Sequence, residues 1–422
     1  MRILHIAWEY PPLVYGGLGR HVGALATAQA ELGHDVVVVT QAQELAVDEV
    51  VAGVRVIRVP RDSSELAFTE TNLVAWVAGL EGALTRAVVQ LSDDWQSDIV
   101  HGHDWMVAHA AVAAGELFDV ALVTTIHATE VGRHQGWLPS ELSATIHDTE
   151  SWLAQQSTRL IACSAHMSWE ISTLFDVPEA VITVVPNGID ASVWRTSAET
   201  RAAARARFAP QSPLLVFSGR LEWEKGVHTL LDAMVPLGIA VPSLRLAIAG
   251  KGGKEADIRT KISALHLAEW VELVGWLPED ELHALVACAD VAIVPSLYEP
   301  FGLVALEAAA LGTPLVVAAA GGLAEFADEG KVALTFSPGD PVELALAVQH
   351  VLNDPAAAQQ RSYAATQALT ARYSWPRIAD QTSTAYAQAH QDGRRPVTPA
   401  PNGDSHWNPA SGVAGKNLLY QS

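Results

Sequence analysis

Leu214-Leu215-Val216-Phe217-Ser218 runs into Gly219-Arg220-Leu221-Glu222-Trp223-Glu224-Lys225-Gly226, and a helical period begins at Val227–Met234. A short apolar run bounded by glycine, then a loop, then an amphipathic segment is one strand–helix step of a parallel sheet. The step repeats downstream. Strands are expected at Leu244–Ala249, Val271–Val274, Ala292–Val294, Leu315–Val317 and Ala333–Phe336, with helices at Glu255–Ala264, Glu279–Cys288, Leu303–Leu311 and Val342–Leu352. It also repeats upstream, with strands at Arg2–Ala7, Val36–Thr40, Val54–Val59, Ile99–His101, Leu122–Ile126, Leu160–Ala162 and Ile182–Val184. The helices between these are expected at Gly19–Leu32, Thr71–Leu91, Met106–Glu116 and Ala165–Phe175. Short apolar strands alternating with helices predict parallel sheets covered on both faces. The series restarts after a helical connector at Ser197–Phe208, so the chain reads as two doubly wound α/β domains facing each other across a cleft. The expected limits are residues 1–200 and 201–374, with a helix over 375–390 packing back on the first domain.

Composition bounds the function. The 422 residues suit two or three domains, and half of them are hydrophobic, enough for sizeable cores. A formal charge of −21 disfavours nucleic acid and anionic membrane surfaces as partners. Cys163 and Cys288 lie far apart, without metal or redox spacing, and read as buried small hydrophobes. The apolar run Met1–Trp8 is too short for a signal peptide and reads as a first strand, and no uninterrupted apolar stretch is long enough for a membrane span. A cytoplasmic location is expected. From 391 the chain turns rich in Pro, Gly, Asn and Ser, which predicts a disordered tail. Its last run, Lys416–Ser422, resembles the scar of a cleavable tag and carries no fold argument.

In open α/β sheets ligands bind at the carboxyl ends of strands, at a topological switch point. Candidate site residues therefore sit just after strands. Gly16-Gly17-Leu18-Gly19 opens the first helix, where glycines allow a ligand close to the backbone and the helix N-terminus favours an anion or hydroxyls. The alternative is a tight turn. The glycine spacing is not that of a dinucleotide fingerprint. His101-Gly102-His103-Asp104-Trp105 follows a strand; Asp104 is placed to take an acceptor hydroxyl and Trp105 to stack on a sugar ring, or the pair is a helix cap over a core tryptophan. No carboxylate completes a metal set around the two histidines, so no metal is expected. His127, ending the next strand, offers a neutral ring for one hydrogen bond to a sugar hydroxyl. Trp137 is a second candidate acceptor platform, with core packing as its alternative.

Arg220 and Lys225 place two cations at a strand end and helix start of an acidic protein, where both can reach a pyrophosphate. Pro295-Ser296-Leu297-Tyr298-Glu299-Pro300-Phe301-Gly302-Leu303 continues to Glu307. Glu299 precedes a helix start and Glu307 follows it, while the Gly302 and Leu303 N–H groups lie at the helix N-terminus, able to hold a phosphate. Carboxylates on both sides can take hydroxyls of a sugar and a ribose. Gly321-Gly322 adds a second close-approach loop.

This set, with Pro186-Asn187-Gly188-Ile189-Asp190 near the junction, resembles the large retaining GT-B glycosyltransferase family that includes sucrose synthases, glycogen synthases and mannosyltransferases, over roughly residues 1–375. Trp8-Glu9-Tyr10-Pro11-Pro12 and His103-Asp104-Trp105 bring it nearest to bacterial α-1,4-glucosyltransferases of glycogen or polymethylated-polysaccharide synthesis. The resemblance implies transfer of glucose from UDP- or ADP-glucose to an α-1,4-glucan or related oligosaccharide, by a front-face retaining route, with no cofactor and no metal. By the family's motifs, Glu299 contacts the donor sugar, Glu307 the ribose, and Arg220 and Lys225 the diphosphate. His127 holds the sugar's primary hydroxyl, Phe301, Gly302, Leu303, Gly16 and Gly17 line the donor, and Asp104 lines the acceptor side. One position departs from the pattern. ADP-glucose glycogen synthases usually carry Lys two residues before the double glycine, and here that residue is Val14. The nucleotide therefore stays open, as does a phosphorylated glucose as acceptor, and a mannosyl- or galactosyltransferase acting on a lipid or small-molecule acceptor is a further reading. A sugar-nucleotide 2-epimerase or a non-catalytic sugar-nucleotide-binding module would share the architecture. Oligomeric state is not legible.

Overall fold

The computed structural model describes residues 1–62 and 65–398. The chain divides into two compact units, residues 1–188 with 375 onward, and residues 189–374.

The first unit is built on an eight-stranded sheet: β1 (Arg2–Ile6), β2 (Asp35–Gln41), β3 (Val47–Val51), β4 (Val54–Val59), β5 (Ile99–His103), β6 (Leu122–Ile126), β7 (Arg159–Ala162) and β8 (Ile182–Val184). The order is β3-β4-β2-β1-β5-β6-β7-β8. Every neighbouring pair is parallel except β3–β4. The chain winds outward from β1 through β2 to β4, then returns to place β5 on the other side of β1. The switch point lies between β1 and β5. Ile3, Leu4, Ile6, Val36–Val39 and Ile99–Val100 are buried, as the apolar runs require for a sheet covered on both faces.

The second unit carries a six-stranded, wholly parallel sheet: β9 (Leu214–Ser218), β10 (Arg245–Ala249), β11 (Val271–Gly275), β12 (Val291–Val294), β13 (Leu315–Ala318) and β14 (Leu334–Phe336). Its order is β11-β10-β9-β12-β13-β14, with the switch between β9 and β12. Both units are thus doubly wound, and the same logic marks the carboxyl ends of β1 and β5, and of β9 and β12, as ligand positions.

Some elements escape the sequence reading. β3 is exposed along its whole length. Its Val47-Asp48-Glu49-Val50-Val51 run does not alternate apolar and polar residues, and it is held to β4 by the hairpin at Ala52-Gly53 and by cross-strand ion pairs Arg55–Asp48 (2.8 Å) and Arg58–Glu49 (2.9 Å). The helix Pro355–Arg372 buries Ala358, Ser362, Ala365 and Leu369. The spacing is helical, but the stripe is made mainly of small residues, so the hydrophobic period is faint. The helices Glu141–Gln156 and Gly322–Ala327 also lacked a clear signal.

The last helix, Trp375–Asp392, buries Ile378, Ala379, Thr382, Ala385, Tyr386 and Ala389 in the first unit's core. Residues 391–398, expected in the tail, are instead tied to that unit. Thr158 Oγ1 donates to the Gly393 carbonyl (3.1 Å), and Trp152 Nε1 to the Thr398 carbonyl (3.1 Å). The rest of the expected tail, 399–422, lies outside the described residues.

Candidate functional site

In the second unit the loops after β9 and β12 are locked together. Gly226 has φ +68°, and a Cβ there would stand 1.8 Å from the Pro295 carbonyl oxygen, so only glycine lets the β9 loop cross the β12 loop this closely. The Leu297 N–H donates to the Glu224 carbonyl (2.8 Å) and completes the clamp. The clamp brings Lys225 to Glu299: Nζ lies 2.9 Å from Oε2, with side chains 20% and 13% exposed. Ser296 Oγ donates to the same carboxylate oxygen (3.1 Å). Arg220, more exposed, reaches the Glu224 carboxylate at 3.2 Å. Two cations and two carboxylates thus meet at the β9/β12 switch point.

Gly302, at φ +104°, caps the helix Leu303–Ala310, and a Cβ on it would strike Leu323 at 2.4 Å. The helix therefore begins at a fixed point beside Glu299, with Glu307 half-buried on it. Phe301 is buried, its ring edge-on to Tyr373 at 5.8 Å. Its side chain packs, so only its backbone is available to a ligand. Gly322 serves packing as well: a Cβ there would lie 2.6 Å from the Pro300 carbonyl oxygen.

The first unit is organised differently. After β1, Glu9 turns back under the glycine loop, and its buried carboxylate accepts the Tyr15 and Gly16 N–H groups. Burial raises the Glu9 pKa, and the N–H groups of Tyr15, Gly16 and Gly19 pull it back. A Cβ on Gly19 would come within 3.1 Å of the Glu9 side chain. So Gly19 makes room for Glu9, and the Gly16 N–H, read as a ligand contact, is engaged by it. Gly17 is the first residue of the helix Gly17–Glu31.

After β5, Asp104 adopts φ +62°, ψ 178°, a conformation ordinarily left to glycine and costing on the order of 1–3 kcal/mol. It does not cap the following turn through its side chain. Instead Oδ1 accepts the His127 N–H at 2.7 Å, and its own N–H donates to the Thr125 carbonyl at 3.0 Å. Asp104 thereby ties the end of β5 to the end of β6, where His127 stands. Burial raises its carboxyl to about 6. Trp105 packs against the first unit's core, and Trp137 is 47% exposed. Of these two aromatic candidates, only Trp137 presents a broad free face.

His127 is one member of a cluster the sequence did not announce. His5 in β1, His21 on the first helix, and His101 and His103 in β5 surround it, with His21 edge-on to His127 at 4.9 Å. Burial lowers His5 to about 4 and His127 to about 3, and holds His21, His101 and His103 well below the ordinary histidine value. All five are neutral near pH 7. Ring nitrogens of His5, His101 and His103, and of His21, His103 and His127, lie within 4.8 Å of one another. Among the described residues these triplets come closest to a metal set, yet neither contains a carboxylate, and His103 already shares hydrogen bonds with His5 (3.0 Å) and His127 (3.3 Å). The sequence signal was the alternation of His in β5 and a His in β1, adjacent strands whose pairing sets His5 beside His101.

A second unannounced group is aromatic. Trp8 stacks with Tyr15 (5.2 Å) and with Phe68 (6.0 Å), and Tyr15 and Phe68 are 54% and 49% exposed. Flat, exposed rings suit the apolar faces of sugars.

Comparison with known proteins agrees with this division. Residues 15–193 match the model for glycosyltransferase family 4, and residues 199–368 that for glycosyl transferases group 1. A glycogen synthase of Mycobacterium tuberculosis is 45% identical over 408 residues, spanning 94% of this chain and 97% of that protein. An alpha-maltose-1-phosphate synthase of the same species is 28% identical, over 92% of this chain and 99% of that protein. The solved sucrose-phosphate synthase of Thermosynechococcus elongatus superposes with a TM-score of 0.78 at 25% identity, covering 92% of this chain and 98% of that one. Two Rossmann-like units with charged and imidazole clusters at their switch points, together with 45% identity to a glycogen synthase over nearly the whole chain, place this chain in the GT-B glycosyltransferases of group 1 and family 4.

Proposed function

We propose that this glycosyltransferase moves glucose from UDP- or ADP-glucose to an α-1,4-glucan or related oligosaccharide, with retention and without a metal ion. The observation that carries the reading is the Lys225–Glu299 pair at the β9/β12 switch point, flanked by Arg220 and by the helix start at Gly302. A diphosphate arriving there takes over Lys225 and Arg220 and frees the Glu299 carboxylate for a hydroxyl of the donor sugar. The C1–O bond to the diphosphate breaks, and the acceptor hydroxyl forms its bond to C1 on the same face. The acceptor proton passes to the departing phosphate oxygen. Lys225 and Arg220 stabilise the charge that develops there, the role a metal ion fills elsewhere. Glu307 takes the ribose, and His127 a hydroxyl of the transferred sugar. The similarity to glycogen synthase supports glucose and a glucan as substrates. The exposed Tyr15 and Phe68 rings, with Trp137, suit an oligosaccharide acceptor. No helix among the described residues is long and apolar enough to cross a membrane, in keeping with a soluble acceptor and a cytoplasmic enzyme.

The test is nucleotide diphosphate release from UDP-, ADP- and GDP-glucose, each with and without malto-oligosaccharide. Release that rises with the oligosaccharide is expected, and it names the nucleotide. Release stimulated only by glucose 1-phosphate would move the acceptor to a sugar phosphate. No stimulation by either would overturn the glucan reading.

A further inference from the structure

One continuous file of hydrogen bonds links His127 to the interior of the first unit. His127 Nε2 lies 3.3 Å from His103 Nδ1, and His103 Nε2 lies 3.0 Å from His5 Nδ1. His5 Nε2 lies 2.7 Å from Gln29 Oε1. Beyond Gln29, its Nε2 donates to the Tyr386 hydroxyl (3.1 Å), which lies 2.7 Å from His101 Nδ1, and His101 Nε2 lies 2.7 Å from Thr125 Oγ1. Gln29, His5, His101, His103 and Tyr386 are buried, and burial keeps the imidazoles neutral.

A neutral imidazole has one N–H and one lone pair, so each ring hands on the polarity it receives. A hydroxyl serves either way. Gln29 is the member whose two ends differ chemically: its oxygen only accepts and its nitrogen only donates. The amide oxygen faces His5, so His5 Nε2 carries the proton and Nδ1 the lone pair. His103 Nε2 must then donate to His5, leaving a lone pair on His103 Nδ1, and His127 Nε2 must donate to His103. The other arm runs in the same sense, from the Gln29 amide through the Tyr386 hydroxyl and the His101 ring to Thr125.

We infer that Gln29 is a positioning residue that, through His5 and His103, fixes His127 as its Nε2–H tautomer, so that His127 offers a lone pair at Nδ1 and accepts a hydrogen bond from the hydroxyl it holds. Read alone, a neutral His127 could as well donate; the file removes that choice. The amide itself is held by the last helix, whose Tyr386 takes its nitrogen end. The site thus demands a hydroxyl that donates, and it discriminates against a fluorine or a hydrogen at that place on the sugar. The ligand contact rests on the function proposed above; the tautomer does not.

The test reads the tautomer directly, in protein with ¹⁵N-labelled histidine, by long-range ¹H–¹⁵N correlation at pH 7.5, with His127→Gln identifying the His127 signals. Wild-type protein is expected to show His127 as Nε2–H. Gln29→Met, close in size and unable to orient the file, is expected to show both tautomers in exchange. His127 as Nδ1–H in the wild type, or a tautomer unmoved in a folded Gln29→Met protein, would overturn the inference; the wild-type measurement decides even where the variant does not fold. In turnover, wild type is expected to prefer the glucose donor over its 6-deoxy-6-fluoro analogue, and Gln29→Met to lose about tenfold of that preference in kcat/KM. An unchanged preference would overturn the link to the sugar. Inactivity with every donor would count against the proposed function and leave the tautomer result standing.

Discussion

The two units solve the same problem with opposite chemistry. Each is a doubly wound sheet, and each gathers its candidate residues at the strand ends flanking the switch point. The second unit gathers charge: Lys225 against Glu299 and Arg220 against Glu224, partly open to solvent. The first gathers neutral imidazoles, five of them, four buried and His127 partly so, beside the strained and buried Asp104. The difference follows from what each would hold. A diphosphate is anionic and calls for cations. Sugar hydroxyls are uncharged and call for oriented donors and acceptors, which work best where water and competing charges are excluded.

The sharpest way to break this comparison is to remove charge from the second unit. Lys225→Ala or Glu299→Ala is expected to lower kcat/KM by about 10³-fold, with the melting temperature little changed, because the pair belongs to the proposed diphosphate site and not to the core. Activity within about tenfold of wild type would take the pair out of the chemistry.

Acid should separate the units. An imidazole held below its ordinary value of 6.5 is neutral when folded but takes a proton when unfolded as pH falls below 6.5, so its burial costs stability from there down to the folded value, about 4 for His5 and about 3 for His127. Asp104, raised to about 6, works the other way: folded protein binds its proton first, which adds stability as pH falls from about 6 toward 3.8. Glu9 and Glu150 are also raised by burial and act in that same sense. The imidazoles win, because there are five of them and they act from a higher pH, each at up to about 1.4 kcal/mol per pH unit. Hydrogen exchange at pH 5 against pH 7.5 should therefore show residues 1–188 losing protection while 189–374 keep theirs. Equal loss in both would undo the distinction.

Smaller effects sharpen it. Tyr15→Ala and Phe68→Ala are each expected to raise KM for malto-oligosaccharide several-fold while leaving KM for the nucleotide-sugar unchanged, as an exposed stacking contact predicts. A rise in donor KM instead would assign these rings to the donor. Smallest of all is the effect of a chelator: turnover in excess EDTA is expected to equal that in buffer, since in the proposed mechanism cations of the chain supply the charge. A large loss, restored by one divalent metal, would turn attention to the His21–His103–His127 triplet.

Much of the fold was legible because its strands show as short, largely apolar runs; β1, β4, β6, β8 and β9 lie where those runs lie. β3 was not, since Val47-Asp48-Glu49-Val50-Val51 does not alternate apolar and polar residues, and the helix Pro355–Arg372 was not, since its buried face is mainly Ala and Ser. Among candidate site residues, Arg220, Lys225, Glu299 and His127 were legible because charge and imidazole after a strand stand out locally. Glu9, His5, His21 and Gln29 were missed: each looks ordinary in its own segment. Trp105 and Phe301 pack against their cores, which the sequence could not show, because an aromatic after a strand reads alike whether it faces a ligand or the core.

The sequence by itself determined the two largely parallel sheets, the strand ends that hold the candidate residues, and the cations and carboxylates of the second unit, because period and local charge are properties of neighbours along the chain. Only the tertiary structure decided that Gln29, His5, His103 and His127 form one directed file closed by Tyr386, some 350 residues further on. The physical reason is that a hydrogen bond's polarity is set by its partner, and these partners meet only when β1, β5, β6 and the first and last helices are packed together.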